Sequence, residues 1–278
     1  MAKFSYILTP TVNTELPNIE KRRREMLLVL LPPRVEVKMK FENLSQVISS
    51  SLFMAGKSIS AREIGHIISG KTKTKPAEVI ALKMANDNLR LNWFLSEKRI
   101  DYEMIRSLVK IFLPDYQLKR ADVETIIQFV ELGEHPIVQV ALAFVLFYII
   151  LPRNNNSILI SNNISKGFAY MHGFDFRGLI NFEEYITGDL IKFEDLLKRA
   201  SKQENLTDFI EYFVQTYSLA ADKSIAKIRE NKLPAAYVPP LTKRQEKILL
   251  LFEIPNAKVT NRDVAKEFGI SQSTSYRD

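Results

Sequence analysis

HPIVQVALAFVLFYIILPRNNNS, residues His135–Ser157, decides the fold. Pro136 can open a helix because the first helical position needs no backbone donor. From Val140 to Leu151 the chain is apolar on every side, the pattern of a helix buried all round. The run is far shorter than the roughly 20 residues that cross a bilayer, which makes it a core helix rather than a membrane span. Pro152 and Asn154–Asn156 then break it, and Ile160, Ile164, Phe168 and Met171 resume a helical stripe that Gly173 stops.

Helical periodicity extends outward in both directions. Ser60 caps a helix over Ala61–Ser69, with Glu63 as its capping-box partner and Gly70 as the stop. Further helices are predicted over Glu78–Leu95, Asp101–Phe112, Arg120–Leu132, Phe182–Ile186, Phe193–Ala200 and Thr207–Ile228. No alternating strands joined by Asn-Gly or Asp-Gly occur. The fold class is therefore all-α. Residues 1–43 read as an irregular N-terminal extension, punctuated by Pro10, Pro17, Pro32 and Pro33, with one helix over Ile19–Leu31. Residues 231–240, holding Pro234, Pro239 and Pro240, read as a linker.

Composition narrows the function classes. The 278 residues hold no cysteine, which removes disulfides, thiolate metal sites and cysteine nucleophiles and suits a reducing cytoplasm. Nine glycines disfavour Gly-rich phosphate loops. Met1–Pro10 lacks the order of a signal peptide. Lys and Arg number 39 against 32 Asp and Glu, an excess of +7 that favours polyanionic partners without specifying one. The basic runs Lys21–Arg24 and Lys71, Lys73, Lys75 read as solvated faces.

Residues 241–278 read as a small second domain. Thr242 with Gln245, and Thr260 with Asp263, make two capping boxes. Ile248, Leu249 and Phe252 line one helix; Val264, Ala265 and Phe268 line the next. Gly269 supplies a tight turn, and Ser271, Gln272, Ser273, Thr274, Ser275, Tyr276 and Arg277 begin a third helix with groups able to meet base edges and phosphates. The order is that of a helix-turn-helix, and LTKRQ…IL with GIS…T.YRD resembles the winged-helix tail of bacterial regulators. A helical protein-interaction module is the alternative. The sequence stops at Asp278, about one turn into the third helix, so the rest of that helix and a wing are not in it.

Residues 44–230 carry a second resemblance. His135-Pro136-Ile137-Val138, the apolar helix behind it, the loop Leu151–Ser157, HGFDFRGLINFEEY (His172–Tyr185) and LTDFIEYF (Leu206–Phe213) together are similar to the Fic (Fido) family, with spacing that holds without gaps. The resemblance implies an all-helical domain that transfers AMP from ATP to a protein hydroxyl. It also implies a loop H-P-F-x-x-G-N-G-R, whose histidine is the general base and whose other residues hold phosphate.

Here the loop departs from that pattern. Leu151 stands at the histidine, Asn156 and Ile158 at the glycines, Ser157 at the asparagine, Leu159 at the arginine and Asn162 at a second arginine; only Pro152 matches. A leucine cannot accept a proton, and losing a general base costs about 10²–10⁴-fold. The family's inhibitory motif S-x-x-x-E-G survives as Ser51, Ala55 and Gly56, with Ala55 where the glutamate belongs. The G-x-Y-R hairpin that aligns the target is not found between Ser96 and Leu132.

These readings give the functional expectation. It is a catalytically impaired Fic-like protein acting as a DNA-binding regulator or interaction module, with no catalytic residue and no metal site. The alternative is residual AMP transfer. No cofactor is expected. ATP with Mg²⁺ is the candidate ligand of the loop remnant Arg153, Asn154, Asn155, Asn156 and Ser157, because a helix N-terminus there offers N–H groups. DNA, protein partners and a homodimer reading paired half-sites are the candidate partners. His135 reads as a helix N-cap or surface residue, His66 as a mid-helix residue without a second ligand, and His172 as a helix-end residue.

Overall fold

The computed structural model describes residues 4–95, 100–175, 177–232, 242–251 and 259–277. Residues 233–240 of the linker, Leu241, Phe252 and Asp278 lie outside the described residues, as does the side chain of Arg277. The chain divides into two units, Met1–Asn231 and Lys232–Asp278.

The larger unit is built from α1 (Pro10–Leu28), α2 (Pro33–Met54), α3 (Ala61–Ile68), α4 (Ala77–Leu95), α5 (Tyr102–Phe112), α6 (Arg120–Glu131), α7 (Pro136–Ile150), α8 (Asn155–Met171), α9 (Glu183–Gly188), α10 (Leu190–Gln203) and α11 (Thr207–Asn231). Among the described residues there is no strand, only an isolated bridge from Ser5 to Asn205.

The core forms around α7, where every residue from Val140 to Phe147 is buried. Fully burying one such side chain contributes about 1.5–3 kcal/mol. Phe144 sits among Phe193, Phe209 and Phe213, with ring centroids 5.6–6.1 Å apart. α8 packs along α7, while α4 and α5 cover the outer side of α8. No helix among the described residues is long and apolar enough to cross a membrane.

Residues 10–28 and 33–40 correct the sequence reading, which expected an irregular extension with one helix over Ile19–Leu31, because both stretches are helical. α1 spans Pro10–Leu28, with Thr9 capping it and Pro10 at its start. Its buried face is Val12, Leu16, Ile19, Arg23 and Met26, a stripe at helical spacing that lies against α11. The basic run inside it is not a simple solvated face either. Arg22 donates to Asp222 Oδ2 at 2.8 Å and to Ser218 Oγ at 3.0 Å. Arg23 is 3% exposed, pairs with Glu20 at 3.0 Å and lies over the Phe174 ring at 5.2 Å. Only Lys21 and Arg24 of the four are exposed.

The second unit contains α12 (Lys243–Leu251), α13 (Asn261–Phe268) and α14 (Gln272–Arg277). Both capping boxes form: Gln245 N donates to Thr242 Oγ1 at 3.2 Å, and Asp263 N to Thr260 Oγ1 at 3.2 Å. In return Gln245 and Asp263 accept from the backbone N–H of Thr242 and Thr260, each at 2.9 Å.

Candidate functional site

The loop between α7 and α8 is closed by its own side chains. Leu151 ends α7 in extended backbone, donates its N–H to Phe147 O at 3.1 Å and is 3% exposed. Asn154 caps α8, its Oδ1 accepting from Ser157 N at 3.2 Å. Ser157 is fully buried and its hydroxyl donates to Pro152 O. Asn156 donates from Nδ2 to Phe112 O at 3.2 Å, fastening the loop to the end of α5. Tyr116 donates its hydroxyl to Ile150 O at 3.2 Å. Leu159 is 1% exposed and belongs to the core. Of the loop remnant, Arg153, Asn154 and Asn155 are exposed; Asn156 and Ser157 are turned into the molecule.

The residues read as an inhibitory remnant lie beside this loop. Ser51 is 1% exposed and accepts from Asn162 Nδ2 at 3.2 Å. Ala55, 3% exposed, is the C-cap of α2. Gly56 follows at φ +75°, a conformation that favours glycine, and a Cβ there would lie 3.8 Å from Asn155 Nδ2. Two residues distant in sequence are thus joined where the resemblance would place an arginine and the serine of the lock.

Behind Asn162 lies a buried charged cluster that the sequence reading did not identify. Asn162 Nδ2 also donates to Glu183 Oε1 at 2.9 Å, and the same carboxylate oxygen pairs with Lys166. Glu183 is completely buried and Lys166 nearly so. Asp175 accepts the N–H groups of Leu179 and Ile180 at 2.9 and 3.0 Å, closing the turn between α8 and α9. That turn is tied to α2, because Asn43 donates to Gly178 O at 3.0 Å, and to α11, because Ser224 donates to Leu179 O at 2.8 Å. Burial pushes the Asp175 carboxyl up to about 7, against the two backbone hydrogen bonds and Lys166, which pull it down. The sequence signal for this cluster is faint. Lys166, Asp175 and Glu183 look like surface charges until the turn brings Glu183, at the start of α9, back to Lys166 on α8.

The three histidines fall in different places. His135 caps α7, its Nδ1 accepting from Ile137 N at 3.1 Å, and its Nε2 lies 3.6 Å from Glu20. The Glu20 carboxyl is held below its usual range: burial raises it, but the contacts from His135 and Arg23 outweigh that. His66 is exposed on α3, and His172 is the buried C-cap of α8. Among the described residues no three His, Asp or Glu side chains are grouped to hold a metal ion.

In the second unit, Gly269 takes φ +61° and Ile270 N closes back onto Ala265 O at 3.0 Å, turning the chain sharply from α13 into α14. Ser271 caps α14 through Thr274 N at 3.2 Å. Gln272, Ser273 and Tyr276 are exposed, Tyr276 by 80%. Ser275 differs from the rest of the set grouped with it from sequence. It is 5% exposed and donates to Asn261 O at 2.5 Å, so it packs α14 on α13.

No protein-family model and no curated protein matches the sequence. Among solved structures, the chain is similar to a Fic family protein from Desulfovibrio desulfuricans G20. The TM-score is 0.65 and the identity 13%, over 98% of this chain and 88% of the other. At that identity the likeness is one of backbone, and it places the chain in a Fic-like, all-helical fold.

Proposed function

We propose that this chain keeps a Fic-like fold without transfer chemistry and works as a DNA-binding regulator through its C-terminal helices. The observation that carries the first half is Leu151, 3% exposed, at the position where the resemblance calls for a general base. An aliphatic side chain there cannot take a proton from an attacking hydroxyl. Phosphoryl and nucleotidyl transfer depend on positioned charge, and Leu159 and Asn162 stand where the resemblance has arginines.

The support for the second half is the order of α13, the Gly269 turn and α14, with Gln272, Ser273 and Tyr276 exposed on the last helix. Such a helix places hydrogen-bonding side chains in a major groove, and the basic excess of the chain favours the phosphate backbone. The test is a mobility shift of duplex DNA by the full chain at several salt concentrations. The reading expects binding whose log affinity falls linearly with log salt. Absence of any shift at low salt, with protein crosslinks forming instead, would transfer the tail to protein interaction.

A further inference from the structure

We propose that the loop between α3 and α4, together with the exposed face of α3, is a second DNA contact that grips the phosphate backbone without reading sequence. The inference rests on the DNA reading of the C-terminal helices and adds to it a surface of the larger unit. What carries it is the place where the basic excess of the chain goes unanswered.

Residues 57–75, KSISAREIGHIISGKTKTK, hold five Lys and Arg against one Glu, a net +4 of the chain's +7. On the neighbouring helices the cations are matched. Lys38 lies 3.8 Å from Glu42, Lys40 2.8 Å from Glu36 and Lys83 2.5 Å from Asp87, and Lys57 pairs with Glu78. Arg62, Lys71, Lys73 and Lys75 are all exposed, and among the described residues none of them pairs with a carboxylate. The run Lys21–Arg24 makes the contrast. It resembles the lysine run in sequence, yet Arg22 and Arg23 are taken up by Asp222 and Glu20 within the fold.

The backbone holds the unmatched lysines in place. α3 ends in a left-handed turn at Gly70, φ +74°, where a Cβ would meet nothing within 4 Å. Lys71 N closes that turn onto His66 O at 2.9 Å, and Thr72 Oγ1 donates to Thr74 O at 2.7 Å. At the far end Pro76 O accepts from Val79 N at 3.1 Å, fastening the loop to the start of α4. A loop already tied at both ends loses less entropy when it binds. Lysines on alternate residues stand at most about 7 Å apart along the chain, within reach of successive phosphates of one strand. Arg62 and His66, one helical turn apart on α3, border the same groove as Lys71 and extend the basic surface. Because the cations are exposed rather than enclosed, they suit a polyanion, whose condensed counterions are released as the charges meet.

The experiment is fluorescence anisotropy of two unrelated DNA duplexes titrated with the full chain over a range of salt. Lys71→Gln, Lys73→Gln and Lys75→Gln together should flatten the slope of log affinity against log salt by about 2–3, at roughly 0.9 per phosphate contact. The loss should be equal on both duplexes, since phosphate contacts carry no sequence information. The same three positions changed to arginine should keep the native slope. Lys198→Gln, Lys202→Gln and Lys227→Gln, exposed on α10 and α11, remove equal charge elsewhere and should leave the slope unchanged. Circular dichroism checks that each variant is folded. A native slope in the loop variant, with Gln272→Ala still weakening binding, overturns the inference and leaves the tail reading standing. A flattened slope in the loop variant, with Gln272→Ala and Tyr276→Ala without effect, supports the inference and removes the tail reading. Equal flattening by the α10 and α11 variant overturns the inference, because net charge alone then accounts for binding. Binding to anionic lipid vesicles without binding to DNA at low salt overturns it as well.

Discussion

From a single amide nitrogen, Asn162 donates to Ser51 Oγ at 3.2 Å, joining the middle of α8 to α2 across 111 positions of chain. The same nitrogen reaches Glu183 Oε1 at 2.9 Å, so one side chain ties three helices together in a buried setting. Asn162→Leu removes both bonds and leaves the Ser51 hydroxyl and one contact of Glu183 unanswered. Each buried polar group stripped of its partner costs about 1–3 kcal/mol. Urea unfolding should therefore show a loss of about that size, with an unchanged slope against denaturant. An unaltered midpoint would mean that the link holds nothing together.

Asp175 makes stability depend on pH. Its folded-state value of about 7 lies above the ordinary 3.8, so between those values the folded protein holds a proton that the unfolded chain has released. This contribution to stability is full below about pH 4, falls as pH rises through the window and is exhausted above about pH 7. Asp175→Asn keeps an acceptor for Leu179 and Ile180 but cannot titrate. Relative to the variant, the native chain should lose up to about 1 kcal/mol per pH unit across that window. Parallel curves for the two proteins would contradict the burial argument.

On the proposed reading, replacing Leu151 by histidine should not confer transfer, because Ser157, Leu159 and Asn162 still stand where the resemblance has phosphate-binding residues. It should instead destabilise the fold by about 2–3 kcal/mol, since a polar ring would enter a site that is 3% exposed and packed with the core. Thermal unfolding together with a transfer assay on the same variant checks both halves.

In the tail, exposure separates contact from support. Gln272→Ala and Tyr276→Ala should each weaken duplex DNA binding by about tenfold, within the 1–3 kcal/mol of a good base contact, with little change in salt slope. Ser275→Ala should lower the melting of α13 and α14 instead, by removing the bond to Asn261 O. A mobility shift and a melting curve on the three variants distinguish the two roles.

Much of the helical framework was legible in the sequence because its boundaries are written in local chemistry. Pro136 starts α7, Asp101 caps α5, Ser60 caps α3, and Gly173 and Gly269 end α8 and α13 with left-handed turns. Only the second half of α1 was legible, as part of the helix expected over Ile19–Leu31; Pro17 inside the helix and Arg23 at an apolar position of its stripe hid the rest, which packs on α11 with Glu20 and Phe174 receiving the guanidinium. The departures of the loop Leu151–Leu159 from the pattern it resembles could be read residue by residue. The closure of the loop by Asn154, Asn156 and Ser157 could not, because each of those polar side chains finds a partner set by the fold rather than by spacing. The Lys166–Glu183–Asp175 cluster was hidden for a related reason: charges predict exposure unless a distant partner removes them from water together.

The most direct test of a Fic-like fold without transfer chemistry is incubation of the full chain with ATP labelled at the α-phosphate and Mg²⁺, alone and with a cell lysate. With Leu151 in the core and no base at that position, the account predicts no label on the chain or on any other protein above a control without it. Covalent label that appears with the chain and disappears with Arg153→Ala would contradict it.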